Sequence, residues 1–166
     1  MLGRNQEALD ILEASPLLAH DANACNLRGT IYETQRQWQP ARDWYRESKT
    51  AWQLADSPDR AAGLARAATG VAFCERKLGR LLEAEAAWQE LLSLAPTADN
   101  QASAHFLLAQ FYEDTQQAEK AQFHAQQAMK LNPQQYVEPG RQLLSKLVTS
   151  HFGCVGIVNS PNTVSR

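Results

Sequence analysis

Residues 68–96 read ATGVAFCERKLGRLLEAEAAWQELLSLAP, and residues 105–133 read HFLLAQFYEDTQQAEKAQFHAQQAMKLNP. Laid one on the other without a gap, they place small residues, leucines and prolines at the same offsets. Ala72 and Ala109 lead after twelve positions to Ala84 and Ala121, which lead after twelve more to Pro96 and Pro133. Leu94 and Leu131 each stand two residues before the proline. Upstream, Gly29 leads to Ala41 by the same twelve. Five matching intervals in one chain mark an internal repeat, the pattern to look for before any other.

Each unit reads as two helices joined by a turn. The Gly or Ala of the first helix and the Ala of the second sit where the two axes cross, and small side chains there let the helices approach closely. The proline ends the second helix, because it cannot continue the hydrogen-bond ladder. Large residues fill the space between units: Tyr32, Trp44, Tyr45, Trp88, Phe111 and Tyr112. A single helix pair cannot bury both its faces, so the units must stack. Ala, Leu and Gln dominate the first 148 residues, which favours helix over strand.

These segments resemble the tetratricopeptide repeat, whose pattern is W-x2-L-G-x2-Y, then A-x3-F, then P. The first unit has Cys25-x2-Arg28-Gly29-x2-Tyr32 and Ala41-x3-Tyr45. The second has Ala68-x2-Val71-Ala72-x2-Glu75, Ala84-x3-Trp88 and Pro96. The third has His105-x2-Leu108-Ala109-x2-Tyr112, Ala121-x3-Ala125 and Pro133. The resemblance covers roughly residues 3–133 and implies an all-α fold: a right-handed solenoid of antiparallel helix pairs, about eight helices in all. Two departures stand out. Ala41 to Ala84 spans 43 residues and Ala84 to Ala121 spans 37, against the family's period of about 34. Glu75 also replaces the aromatic of the second unit, which puts the packing there in question.

The extra residues near 50–60 predict a long second helix through Trp52 and Leu54, then a turn at Ser57-Pro58, with Ser57 capping the next helix and Pro58 in its first position. Gly3-Arg4-x2-Glu7-Ala8 repeats the form of Gly79-Arg80-x2-Glu83-Ala84, so the chain is expected to open half-way through a unit, as an excised fragment, the favoured reading, or a natural half-repeat would. The expected organisation is one domain over 1–148: a half repeat at about 3–16, repeats at about 22–57, 58–96 and 99–133, and a capping helix at about 136–148 on the face of Leu143, Leu144, Leu147 and Val148. Residues 149–166 are expected to form a flexible or extended tail, with Phe152 to Val158 able to dock in a groove of this chain or a neighbour.

Composition excludes several classes. A formal net charge of -2 and a pI near 6.1 give no electrostatic case for nucleic acid or an anionic membrane. No apolar run reaches 18 residues, so no segment is expected to insert in a bilayer. Cys25, Cys74 and Cys154 are far apart and form no CxxC, which supports neither a zinc site nor a disulfide framework. No phosphate-cradling glycine loop, HExxH or nucleophile-base spacing appears, so no catalytic residue, metal or cofactor is assigned and no enzymatic activity is expected. His105 occupies a packing slot, and His124 is expected to face solvent. Trp88 reads as core, Trp38 as a packing residue at a helix start and Trp44 as half-exposed, while Trp52 has no evident role.

The resemblance also implies where binding occurs, on the first helices that line the concave groove. Carried over residue by residue, the groove positions are Asn23, Asn26, Thr30 and Glu33 in the first unit, and Arg66, Thr69, Phe73, Arg76 and Lys77 in the second. The third contributes Ser103, Phe106, Gln110, Glu113 and Asp114. Phe73 and Phe106 read as exposed apolar anchors, and Arg66, Arg76 and Lys77 as a basic step. Together they suit a peptide with an apolar anchor and an acidic flank. The clamp that some family members use for a partner's terminal carboxylate is not matched: Asn26 fits, but Thr30, Gly70, Ser103 and Leu107 occupy its other slots.

The expected function is a protein–protein scaffold or adaptor, an assembly factor whose partner is a protein or peptide. Two alternatives are a regulatory or docking region of a larger enzyme or sensor, and a self-assembling structural protein joined as a homo-oligomer through its repeat ends or tail. The chain reads as soluble, with the cytoplasm ahead of other compartments.

Overall fold

A computed structural model describes residues 2–95 and 97–153, with side chains over 4–95 and 97–149. Pro96 and residues 154–166, with Cys154 and the Val155–Val158 segment, lie outside the described residues. Within them the chain is helical throughout: α1 (Leu2–Ala14), a 3-10 turn (Pro16–Leu18), α2 (Ala22–Thr34), α3 (Trp38–Leu54), α4 (Arg60–Lys77), α5 (Leu81–Leu94), α6 (Ala98–Asp114), α7 (Ala118–Leu131) and α8 (Pro133–Gly153). No strand occurs among the described residues.

Three helix pairs, α2/α3, α4/α5 and α6/α7, are joined by three-residue turns of one design. At each, the residue after the helix cap is left-handed: Arg36 at φ 59, Gly79 at φ 75 and Gln116 at φ 59. The next amide then reaches back over the helix end, Gln37 to Tyr32 O, Arg80 to Glu75 O and Gln117 to Tyr112 O, at 2.8–2.9 Å. This is the Schellman arrangement, and it reverses the chain within one turn. Only the middle copy uses glycine, which adopts φ > 0 without a Cβ penalty. Gln116→Gly is therefore expected to raise stability by roughly 1 kcal/mol, about 2–4 °C in melting temperature for a chain of this size, and Gly79→Ala to lower it by a similar amount. Thermal denaturation of the two variants checks both signs.

The predicted crossing points are real. Ala41, Ala72, Ala84, Ala109 and Ala121 all have 0% exposure. Tyr45 fills the aromatic slot of α3 and lies between two glycines. A Cβ added at Gly29 of α2 would meet its ring at 2.8 Å, and one at Gly70 of α4 at 2.5 Å. The ring thus needs both glycines to seat, and it locks the first unit to the second. Trp52 is buried and lies on the bare backbone of Gly63 of α4, which gives the long end of α3 its packing partner. Trp88, Phe111, Tyr112 and Leu108 continue the core, and Leu143 and Leu147 of α8 close it.

Three boundaries differ from expectation. Pro58 is not the first residue of a helix. α4 begins at Arg60, and the Ser57 hydroxyl instead accepts the Asp59 amide at 3.2 Å within the turn. Pro133 does more than end α7: it opens α8, with Asn132 Oδ1 accepting the Gln135 amide at 3.0 Å as the cap. The capping helix therefore starts at 133 rather than 136, and it continues to Gly153, beyond the expected end at 148. On that helix Val148 is exposed, outside the packed face of Leu143 and Leu147.

Two buried charges replace apolar consensus residues. Arg28 donates to Leu12 O at 2.6 Å and Leu18 O at 2.9 Å, tying α1 and the 3-10 turn to α2. Its guanidinium lies 4.7 Å from the Trp44 ring. Glu75, at 1% exposure, resolves the doubt over the second unit's packing. Arg46 pairs with Oε1 at 2.8 Å, Arg42 approaches the same oxygen at 3.6 Å, and Arg80 approaches Oε2 at 3.5 Å. An ionic cluster between α3, α4 and the following turn thus occupies the aromatic slot.

Candidate protein-docking face

The first helices lie side by side, α2 against α4 and α6 against α8. Arg76 of α4 bridges to Asp114 of α6 at 2.8 Å, and Glu113 of α6 faces Lys146 of α8 at 3.8 Å. The predicted groove residues all belong to these helices. Asn23, Thr30, Arg66, Lys77 and Gln110 are exposed, while Asn26, Glu33, Thr69, Phe73, Arg76, Ser103, Phe106 and Glu113 are half-buried.

Several of them are occupied by internal work. Glu33 accepts the Tyr45 hydroxyl at 2.6 Å, a bond that joins burial in holding the Tyr45 phenol well above its usual range. Thr30 and Thr69 return their hydroxyls to carbonyls one turn back, of Asn26 and Ala65. Asn26 Oδ1 is buried without a hydrogen-bond partner. Phe73 and Phe106 are not free anchors. Phe106 is covered by Tyr136 of α8, ring centres 5.1 Å apart, because α8 packs beside α6. Phe73 meets the edge of Trp38 at 6.0 Å, and Lys77 Nζ lies 5.3 Å from its ring. The basic step also shrinks: Arg76 is neutralised by Asp114, leaving Arg66 and Lys77 as the members of that step without an ion pair among the described residues.

Between the N-terminal halves of α4 and α6 the wall parts. The cleft holds about 240 Å³ and is floored by the buried Leu91, Ala95 and Ala104, with Arg66 and Asn100 on its rim. Thr69 and Ser103, both predicted, line it as well. Both helices are longer than α2, 18 and 17 residues against 13, so each carries an additional first turn here. The 43- and 37-residue intervals were the sequence signal for those extra turns.

His105 and His124 also come together, contrary to the solvent-facing role expected for His124. Their Nδ1 atoms are 2.9 Å apart, so one imidazole donates and the other accepts. The Tyr112 ring lies 5.4 Å from His124. Burial, then the neighbouring His105 and Lys120, lowers His124 to about 4, and burial lowers His105. A base whose pKa is lower in the folded than in the unfolded chain removes stability as the unfolded form takes up protons. The stability of the α6/α7 pair is therefore fully present above about pH 6.5 and is lost as pH falls from there toward 4. His124→Gln is expected to flatten that part of a stability–pH profile, measured by urea unfolding between pH 7 and 4.

Burial raises the Cys25 thiol and pushes Cys74 up to about 12, which keeps both as inert apolar groups. Among the described residues no three His, Cys, Asp or Glu side chains converge on a metal-sized site. No described helix is long and apolar enough to cross a membrane.

Comparison with known proteins agrees with this architecture. Residues 102–135 match the tetratricopeptide repeat family. A chain in the crystal structure of the APC/C hetero-tetramer Cut9–Hcn1 superposes on 89% of this chain with a TM-score of 0.71 and 20% identity. BtubC from P. vanneervenii superposes on 90% with a TM-score of 0.67 and 17% identity. The matched region spans 27% of the first of those chains and 64% of the second. No curated protein matches in sequence.

Proposed function

We propose that this tetratricopeptide-repeat chain is a protein-binding scaffold that holds a segment of a partner along the groove formed by α2, α4 and α6, without chemistry of its own. One observation carries the reading. Along these three helices the exposed or half-exposed polar side chains of Asn23, Asn26, Arg66, Ser103 and Gln110 make no side-chain hydrogen bond or ion pair with any other described residue. They stand on a wall whose backbone is fixed by the turns and the Gly/Ala crossings. A preformed wall with unfilled hydrogen-bonding capacity binds with little ordering penalty. The paired charges Arg76–Asp114 and Glu113–Lys146 stiffen it.

The test is affinity purification from cells that express the protein, with wild type beside an Asn23→Arg/Gln110→Arg variant. Both positions are exposed, so folding is expected to survive. Loss of a specific protein partner by the variant, with an unchanged melting temperature, is the expected result. Retention of every specific partner would contradict the groove. A Phe73→Ala/Phe106→Ala pair is a poorer tool, since both rings pack against neighbours.

A further inference from the structure

We infer that the cleft between α4 and α6 is the anchor point of the groove, taking one aliphatic side chain of a partner segment with an adjacent Asp or Glu on Arg66. This rests on the scaffold reading and adds the chemistry of the bound segment. The cleft's volume, about 240 Å³, lies below the roughly 300–1,000 Å³ of small-molecule sites and suits a side chain better than a cofactor. Its floor is apolar, with Leu91, Ala95 and Ala104 at 6–7% exposure or less and Leu107 half-buried beside them. An aliphatic group seated there loses water on the face it turns to that floor.

Charge decides what flanks it. Among the described residues Arg66 is the only charged one lining the cleft, and it forms no ion pair with them. The acids nearest in sequence on α6 and α5 are engaged elsewhere: Asp99 accepts from Asn132 at 3.0 Å, and Glu90 pairs with Lys49 at 2.6 Å. An anionic partner group is therefore the complement, strengthened by the apolar floor next to it. The carboxylate is a side chain rather than a chain terminus. Capture of a terminus uses free backbone amides, and here the amide of the cleft-lining Asn100 is taken by Thr97 Oγ1 and that of Gln101 by Thr97 O. The Asn100 and Ser103 side chains, both without partners, are left to meet the bound backbone.

Selection of a random dodecapeptide library displayed on phage, fused at its C-termini so that no terminal carboxylate is presented, tests this on the whole chain. The expected result is enrichment of an aliphatic residue next to Asp or Glu. Synthetic versions should lose at least tenfold in affinity on Arg66→Glu and on Ala65→Phe, which fills the cleft from its α4 wall, less than twofold on Lys130→Glu, an exposed cation of α7, and weaken as salt rises. If Ala65→Phe does not fold, Arg66→Glu, at an exposed position, remains decisive. Selected peptides that Arg66→Glu leaves unaffected overturn the cleft while the scaffold reading stands, as do peptides without an acid. Failure to enrich any peptide overturns both.

Discussion

Replacing Glu75 by alanine is expected to lower the unfolding free energy by about 3–5 kcal/mol, the range for removing one partner of a buried ion pair. The carboxylate is 1% exposed and holds Arg42, Arg46 and Arg80. Without it, three guanidiniums lose their shared carboxylate; Arg46 and Arg80 can turn to water, while Arg42, at 8% exposure, keeps only Asp43. A domain with a total stability of about 5–15 kcal/mol has little margin for such a loss. Urea unfolding at neutral pH measures it. A second variant separates charge from shape: Glu75→Leu with Arg46→Leu should recover part of the loss, because an apolar pair of similar volume can replace a buried ionic one. If Glu75→Ala changes stability by less than 1 kcal/mol, the cluster is not what joins α3 to α4.

The second large effect belongs to Tyr45. Tyr45→Ala is expected to cost about 3–5 kcal/mol, as deletion of a buried aromatic does. The ring fills the space between Gly29 and Gly70, and its hydroxyl satisfies Glu33. Because those glycines belong to successive units, the loss should uncouple the first unit from the second as well as destabilise both. Hydrogen exchange is expected to show α1 to α3 opening independently of α4 to α7 in the variant. Tyr45→Phe keeps the ring and removes only the hydrogen bond, so about 1 kcal/mol is expected there. An equal loss for Phe and Ala would place the effect in the hydroxyl and refute the packing account.

The crossings were legible in the sequence because small residues at a close approach are a positional requirement. Gly29, Ala41, Ala72, Ala84, Ala109 and Ala121 show themselves by spacing alone, and all are buried. The turns were legible only at Gly79; Arg36 and Gln116 adopt the same left-handed backbone without glycine to mark it. Pro133 was ambiguous for a physical reason, since proline both ends one helix and is favoured at the start of the next. Features that depend on distant parts of the chain were hidden. Glu75 reads as a missing aromatic until Arg42 and Arg46, more than 28 residues away, are seen to converge on it. Phe106 reads as exposed until α8 brings Tyr136 over it, and His124 until α6 brings His105. The expected groove residues all lie on α2, α4 and α6, but which of them are free of internal partners required side-chain contacts.

Partners are expected to lie along the first helices. Site-specific photo-crosslinking tests it most directly, with p-benzoylphenylalanine placed in turn at Asn23, Arg66 and Gln110 on those helices and at Leu82 and Gln122 on second helices, all exposed. In cells that express the protein, the first three positions are expected to yield one common crosslinked protein and the last two none. Crosslinks from Leu82 and Gln122, with none from Asn23, Arg66 and Gln110, would contradict it.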